Sequence, residues 1–244
     1  MSKQIKSGLY WDQLYRQLNA SKEPALWDVK PSRAIEKDFC IFKPYFNSSL
    51  HLIDIGCGTG VQTLYLSKHY NNVTGIDASK KAILTAKQLA NHQGLKFEVM
   101  DMLDTKTCIK THKKVGDSNI YMRGVIHQIP YKHRTTFVQN LKILLGQQGA
   151  IFMIETALNI REFISKLVQN HSKIPQTLQN TLSSNFPPLG VSKKELLSWF
   201  PKEEYQLLSI QETSLKTNIV LNSGDFAELP AIYLLTKSIN SENV

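Results

Sequence analysis

The chain has 244 residues, with 29 Lys and Arg against 20 Asp and Glu and a net charge of +9. No window of about 18 continuous apolar residues exists, so no membrane span is expected, and the opening Met-Ser-Lys-Gln-Ile-Lys-Ser-Gly lacks the apolar core of a secretory leader. Three unclustered cysteines, Cys40, Cys57 and Cys108, read as free thiols of a cytoplasmic protein, with no metal-ligand spacing. The length suits a single domain, and the lysines are scattered apart from short clusters at Lys80-Lys81, Lys110 to Lys114 and Lys193-Lys194. Without arginine-rich tracts among aromatics, nucleic acid is the lesser expectation, though the charge leaves it open.

In chain order, residues 8–19 predict a short amphipathic helix (Leu9, Tyr10, Leu14, Leu18), and residues 20–32 a loop holding Pro24, Leu26, Trp27 and Pro31. A helix is expected from Ser32 to about Tyr45, with Ser32 as its cap and Glu36 in its first turn. Leu50 to Ile55 reads as a buried strand, Val61 to Lys68 as the next helix, Asn72 to Asp77 as a second strand and Ser79 to His92 as a helix. Leu95 to Met100 and Asn119 to Met122 are the third and fourth strands, Tyr131 to Leu145 is a helix, and Ala150 to Glu155 is the fifth strand. Residues 156–200 predict a helical insert, with Ile160, Phe163, Ile164, Leu167 and Val168 at helical spacing. Two closing strands are expected at Tyr205 to Leu215 and Ala231 to Thr236, around a loop 216–230. Strands alternating with helices imply a doubly wound, seven-stranded, mostly parallel α/β sheet with one antiparallel strand. The N-terminal cap (1–45) and the insert would belong to one domain spanning 1–244.

The chemistry concentrates in His51-Leu-Ile-Asp54-Ile-Gly56-Cys57-Gly58-Thr-Gly60, a strand, a glycine turn and a helix start. Such a turn lets a ligand approach the backbone at the end of a sheet strand. A dinucleotide fingerprint places its third glycine one residue later, whereas here Gly60 comes early and an acid, Asp54, precedes the first glycine. That carboxylate would repel a pyrophosphate and attract a cofactor bearing an ammonium and a sulfonium. The spacing therefore favours S-adenosylmethionine over a nicotinamide dinucleotide.

Asp54-x-Gly56-x-Gly58-x-Gly60 resembles motif I of the class I S-adenosylmethionine-dependent methyltransferases, and the likeness extends from about residue 30 to 237. The resemblance implies a Rossmann-like domain whose cofactor is held by Asp54, Gly56, Cys57, Gly58 and Gly60. It also makes Asp77, with Ala78 beside it, the ribose ligand; Asp77 reads as well as a cap for the helix near Ser79, and the two roles are compatible. In the same family the acid at Asp101 accepts from the adenine amino group and Met102 offers an amide and an apolar contact; Asp101 also reads as a plain turn acid. Cys57 is asked only to be small and neutral.

Three regions border the acceptor. The fourth strand leads into Arg123-Gly124-Val-Ile-His127-Gln128-Ile-Pro130, where His127 reads as a general base, a polar wall, or a packed histidine that takes no proton. Arg123 would hold an anion or pair with an acid of the glycine loop. The segment from Tyr10-Trp11-Asp12 to Arg33 loosely resembles the N-terminal arm of thiopurine methyltransferase-like proteins, which covers the cofactor; that likeness adds Trp27 and Arg33 to the cofactor set. The insert, with Phe163, Phe186, Pro187, Pro188 and Trp199, would be a lid, and Glu155 either orients an acceptor or is a buried hydrogen-bonded acid.

No Asn/Asp-Pro-Pro-Tyr/Phe tetrad follows the fourth strand and no Pro-Cys nucleophile pair is present, which argues against methylation of nucleobase amines and of cytosine C5. No acid set is placed to hold magnesium, since Asp117 sits at the wrong end of its strand. The expected activity is in-line transfer of a methyl group from S-adenosylmethionine to a small molecule. An RNA or protein methyltransferase, and a cofactor-binding module without transfer, are the alternatives.

Overall fold

Apolar alternation along the strands decides how the chain layers. In the computed structural model, which describes residues 7–21, 25–90, 93–169 and 189–239, β1 (His51–Ile55), β4 (Ser118–Arg123) and β5 (Ala150–Thr156) are buried almost end to end. Strands covered on both faces carry such continuous apolar runs. Successive side chains point to opposite faces. Leu52, Tyr121, Phe152 and Ile154 enter one core with Phe42 and Phe46, while Ile53, Ile55, Ile120, Met122, Ile151 and Met153 enter the other with Phe137 and Leu141.

With β2 (Val73–Asp77), β3 (Leu95–Val99), β6 (Tyr205–Val220) and β7 (Phe226–Ser238), the strands form one sheet of order β3-β2-β1-β4-β5-β7-β6. Every neighbouring pair from β3 to β5 is parallel, and β7 runs antiparallel to both β5 and β6. This is the expected seven-stranded sheet with one reversed strand. Strand order reverses between β1 and β4, and a crevice opens over the carboxyl ends at such a switch point.

The helices are α1 (Ser7–Ser21), α2 (Ile35–Phe42), α3 (Val61–Leu66), α4 (Lys80–Ala86), α5 (Thr105–Val115), α6 (Tyr131–Leu145), α7 (Ile160–Gln169) and α8 (Lys193–Trp199). Among the described residues no helix is long and apolar enough to cross a membrane. α1 docks on α4 through one carboxylate: Asp12 Oδ1 accepts from Ser79 Oγ at 2.7 Å and from Lys81 N at 2.9 Å, while Ser79 Oγ caps α4 by accepting from Ala82 N at 3.1 Å. Asp77 is thus not the helix cap; Ser79 is.

Three segments depart from the sequence pattern. Ser32 caps nothing: it lies in a 3-10 turn over Pro31–Arg33, and Ala34, at φ −126° and ψ −89°, breaks the chain before α2 starts. α5 was not expected, because its lysine-rich stretch buries only Cys108; Asp104 starts it by accepting from Lys106 N and Thr107 N. The loop placed at 216–230 is mostly strand, since β6 and β7 run on as a long hairpin that pairs Lys216 with Glu228 and turns only between Leu221 and Asp225. That hairpin clamps the N-terminal arm: Asn218 N donates to Leu26 O, and Asn218 Nδ2 donates to Ala25 O and Asp28 O. Pro24, His92, Phe186, Pro187 and Pro188 lie outside the described residues.

Candidate active site

The glycine turn begins as an extension of strand pairing: the N–H groups of Gly56 and Cys57 both donate to Ile76 O, at 2.8 and 3.0 Å. Gly56 and Gly60 have φ of 71° and 85°, a left-handed backbone that side chains disfavour. A Cβ on Gly56 would run into Val125 of the loop after β4, and one on Gly60 would lie 2.7 Å from the Phe97 ring and 3.0 Å from Ala86 Cβ. Gly56 therefore brings two loops together at the cleft, whereas Gly60 seats the turn on β3 and α4. Gly58 acts through its N–H, which donates to Asp77 Oδ2 at 3.0 Å.

Asp77 closes the end of β2 with its other oxygen, Oδ1, accepting from Ser79 N at 2.8 Å. Asp101 follows β3 and uses Oδ1 to accept from Leu103 N at 2.9 Å, while Asn140 donates to Met102 O and pins the next residue. These groups meet in a cleft lined by Gly56, Asp77, Ala78, Asp101, Met102 and Arg123 on its sheet side. Val125, Gln128, Ile129 and Phe137 form a further wall, and Trp11, Tyr15 and Trp27 come from the arm. Trp27 Nε1 donates to Tyr15 Oη at 3.0 Å, and the Trp11 and Trp27 rings meet edge to face with centroids 5.6 Å apart. Paired rings of this kind present a rigid apolar cover.

A smaller cavity adjoins it, lined by Trp27, Asp28, Asp54, Cys57, Gln62 and Arg123 among others. Burial pushes the Asp54 carboxyl up to about 7, although Thr63 Oγ1 donates to it at 2.6 Å. Burial likewise pushes Asp77 and Asp28 up to about 6. Among the described residues, Arg123 is the one cation lining either cavity. Three crowded carboxylates against one guanidinium leave negative charge that a ligand with cationic centres would neutralise, which fits an ammonium and a sulfonium. Arg123 itself pairs with Asp38 of α2 at 3.7 Å and not with an acid of the glycine turn, because Asp38 is held beside it by Tyr121 Oη.

Two of the expected site residues lie outside the cleft. His127 is buried, and its ring makes both of its hydrogen bonds inside the protein: Nδ1 lies 2.7 Å from Glu155 Oε2 and Nε2 lies 2.9 Å from Gln128 Nε2. It is not among the residues lining the cleft, which favours the packed reading over the base. Arg33 points away from the cleft; its Nη2 donates to Thr217 O at 3.0 Å and its guanidinium lies 3.6 Å over the Phe226 ring, which ties the arm to the hairpin. Burial pushes the Cys57 thiol well up, leaving it an inert neutral group. Asp28, Tyr15 and Gln128 line the cavities without having been singled out from the sequence; Asp28 and Gln128 each directly follow a residue that was.

The raised acids make a pH prediction. A free aspartate gives up its proton near pH 4, at about 3.9, whereas Asp54 keeps it to about 7. The ligand-free fold is therefore stabilised by that proton at low pH and loses the benefit as pH rises through about 7. The expected melting temperature of the ligand-free protein falls between pH 5 and pH 7 and falls less in Asp54→Asn, while affinity for a cationic ligand rises as the carboxyl ionises through about 7. Equal slopes for the two proteins in thermal melts would remove Asp54 as the titrating group.

Comparison with known proteins agrees with this geometry. The family described as "Methyltransferase domain" matches residues 46–206. The chain is similar to a structure of a SAM-dependent methyltransferase from Anabaena variabilis ATCC 29413, with 30% identity, 95% of this chain and 94% of that one covered, and a TM-score of 0.89. A structure concerned with conversion of a disulfide bond into a thioacetal group during echinomycin biosynthesis shares the fold at 21% identity and a TM-score of 0.69, covering 96% of this chain and 93% of that one. The ubiquinone biosynthesis O-methyltransferase of Glaesserella parasuis serovar 5 (strain SH0165) is 25% identical over 163 residues, 65% of this chain and 66% of that protein. The chain spans between 48% and 66% of the length of the curated relatives it matches.

Proposed function

The chain belongs to the class I S-adenosylmethionine-dependent methyltransferases, and on that premise we propose that it methylates a hydroxyl group of a small molecule bound beside the cofactor. The observation that carries the reading is the roof. The rings of Trp11, Tyr15 and Trp27 cover a cleft whose walls are Asp77, Asp101, Ile129 and Phe137, and a concave, largely apolar site with a few placed polar groups suits a small molecule seated beside the cofactor. Relatives named as ubiquinone biosynthesis O-methyltransferases support an oxygen nucleophile.

S-adenosylmethionine supplies an electrophilic methyl group on its sulfonium, and the protein supplies position. Asp77 takes the ribose hydroxyls, with Ala78 beside them. Asp101 accepts from the adenine amino group through the oxygen that Leu103 N leaves free, with Met102 against the ring. Gly56 and Cys57 border the amino-acid end, where Asp54 and Asp28 face the ammonium and Arg123 the carboxylate. Gly58 acts through Asp77 and Gly60 through packing, while Trp27 covers the site. Holding methyl and nucleophile in line is worth about 7–11 kcal/mol, so the transfer does not depend on His127 as a base. The arm covers the site of this one domain, which works in the cytoplasm.

Incubation with S-adenosylmethionine and a panel of catechols and hydroxybenzoates is expected to yield S-adenosylhomocysteine and a methyl ether, both identified by mass spectrometry. Formation of S-adenosylhomocysteine with added RNA or protein and with none of the phenols would replace this reading by the polymer-modifying one.

A further inference from the structure

We propose that Asn218 is a positioning residue for the cofactor, which sets Asp28 against the amino-acid end of S-adenosylmethionine and brings the closing hairpin into the site; this rests on the placement of Asp28 beside the ammonium given above. β6 is the outermost strand of the sheet, and an edge strand keeps one row of backbone groups without strand partners. Its register with β7 slips between Lys216 and Val220, the kind of irregularity that re-aims a side chain. Within the slip Thr217 spends its hydroxyl on the hairpin itself, donating to Ala227 O at 2.8 Å and accepting from Ile219 N at 3.2 Å. Asn218 turns instead to the arm.

What it meets there is a tight turn. Asp28 N donates to Ala25 O at 3.0 Å, which folds the arm back on itself over residues 25–28. Asn218 holds three of the four carbonyls of that turn: its N donates to Leu26 O at 2.8 Å, and its Nδ2 donates to Ala25 O at 3.1 Å and to Asp28 O at 2.9 Å. Both partners of the amide are carbonyl oxygens, so its NH2 group faces them. The fourth carbonyl, Trp27 O, accepts from Val29 N at 2.8 Å. Asp28, carried on this turn, is half-buried and lines the smaller cavity with Asp54 and Arg123. Its Oδ1 would lie 3.7 Å from a Cβ on Gly58, so the carboxylate faces the glycine turn. Attraction between a carboxylate and an ammonium depends on their separation, and loosening the turn lengthens it. Asp77 and Asp101 are held by Gly58, Ser79 and Leu103, so the ribose and adenine contacts do not depend on Asn218.

The full chain is titrated calorimetrically at pH 8 with S-adenosylhomocysteine and with 5′-methylthioadenosine, which keeps the adenosine and the thioether and lacks the amino-acid end. Both ligands are read on the same protein, so a loss of fold stability cancels from the ratio of their dissociation constants. Asn218→Ala is expected to cut the preference for S-adenosylhomocysteine about tenfold, since two hydrogen bonds to the turn are lost, and to leave 5′-methylthioadenosine near its wild-type affinity. Asn218→Asp, which has the same shape and no donor, loses at least as much. Asp28→Ala loses the preference too, and adding Asn218→Ala to it changes the ratio no further, the mark of one residue acting through another. Ser223→Ala, in the turn of the same hairpin, keeps the wild-type ratio. A wild-type ratio in Asn218→Ala overturns the inference, and so does an equal weakening of both ligands, which would make the hairpin a support of the fold alone. A wild-type ratio in Asp28→Ala overturns the placement of Asp28 beside the ammonium, and the inference with it.

Discussion

Asp77→Ala binds S-adenosylmethionine about two to three orders of magnitude more weakly than the wild type in calorimetry at pH 8. Both ribose hydroxyls are expected on this carboxylate, and a hydrogen bond to a charged group contributes about 1.5–3 kcal/mol. The same side chain receives Gly58 N and Ser79 N, so its removal also frees the glycine turn from the end of β2. Asp77→Asn is not a neutral control. Its amide nitrogen must face one of those two N–H donors, and the variant falls between alanine and the wild type. Melting of the ligand-free variants separates lost binding from lost fold. Wild-type affinity in Asp77→Ala would remove the ribose assignment.

Gly60→Ala destabilises the fold by about 3–4 kcal/mol, which for a chain of this size lowers the melting temperature by roughly 10 °C. Its left-handed φ of 85° is one part of the cost, and the other is the 2.7 Å approach of the new Cβ to the Phe97 ring, with Ala86 Cβ behind it at 3.0 Å. Gly224→Ala isolates the first part, because Gly224 has φ 87° and nothing within 4 Å of the added atom. That variant is expected to lose about 1 kcal/mol. Equal losses at the two sites would mean that packing against Phe97 plays no part, and would return Gly60 to the set of residues that meet the cofactor.

Much of this architecture was legible because it is written at short range. The buried run before Gly56, the glycine spacing and the acids at 77 and 101 sit at fixed distances along the chain, and the structure brings Gly56, Asp77 and Asp101 to one cleft. Roles set by distant partners were not legible. Nothing near His127 announces that Glu155, 28 residues on, will occupy its Nδ1, nor does Arg33 announce Thr217, 184 residues away. Local signals were also passed over. Asp104 followed three residues later by Thr107 starts α5 with a side-chain cap, but few apolar positions mark that helix. Leu215, Thr217 and Ile219 alternate inward on β6, while their polar neighbours give the segment the composition of a loop.

The central claim is that this cleft passes a methyl group to a small molecule. S-adenosylmethionine carrying a tritiated methyl group, incubated with the protein and a whole-cell extract and then separated by size, tests it most directly. Label is expected in the small-molecule fraction, and it is expected to disappear in Asp77→Ala. Label confined to RNA or protein, or released only as unreacted S-adenosylmethionine, would contradict the account.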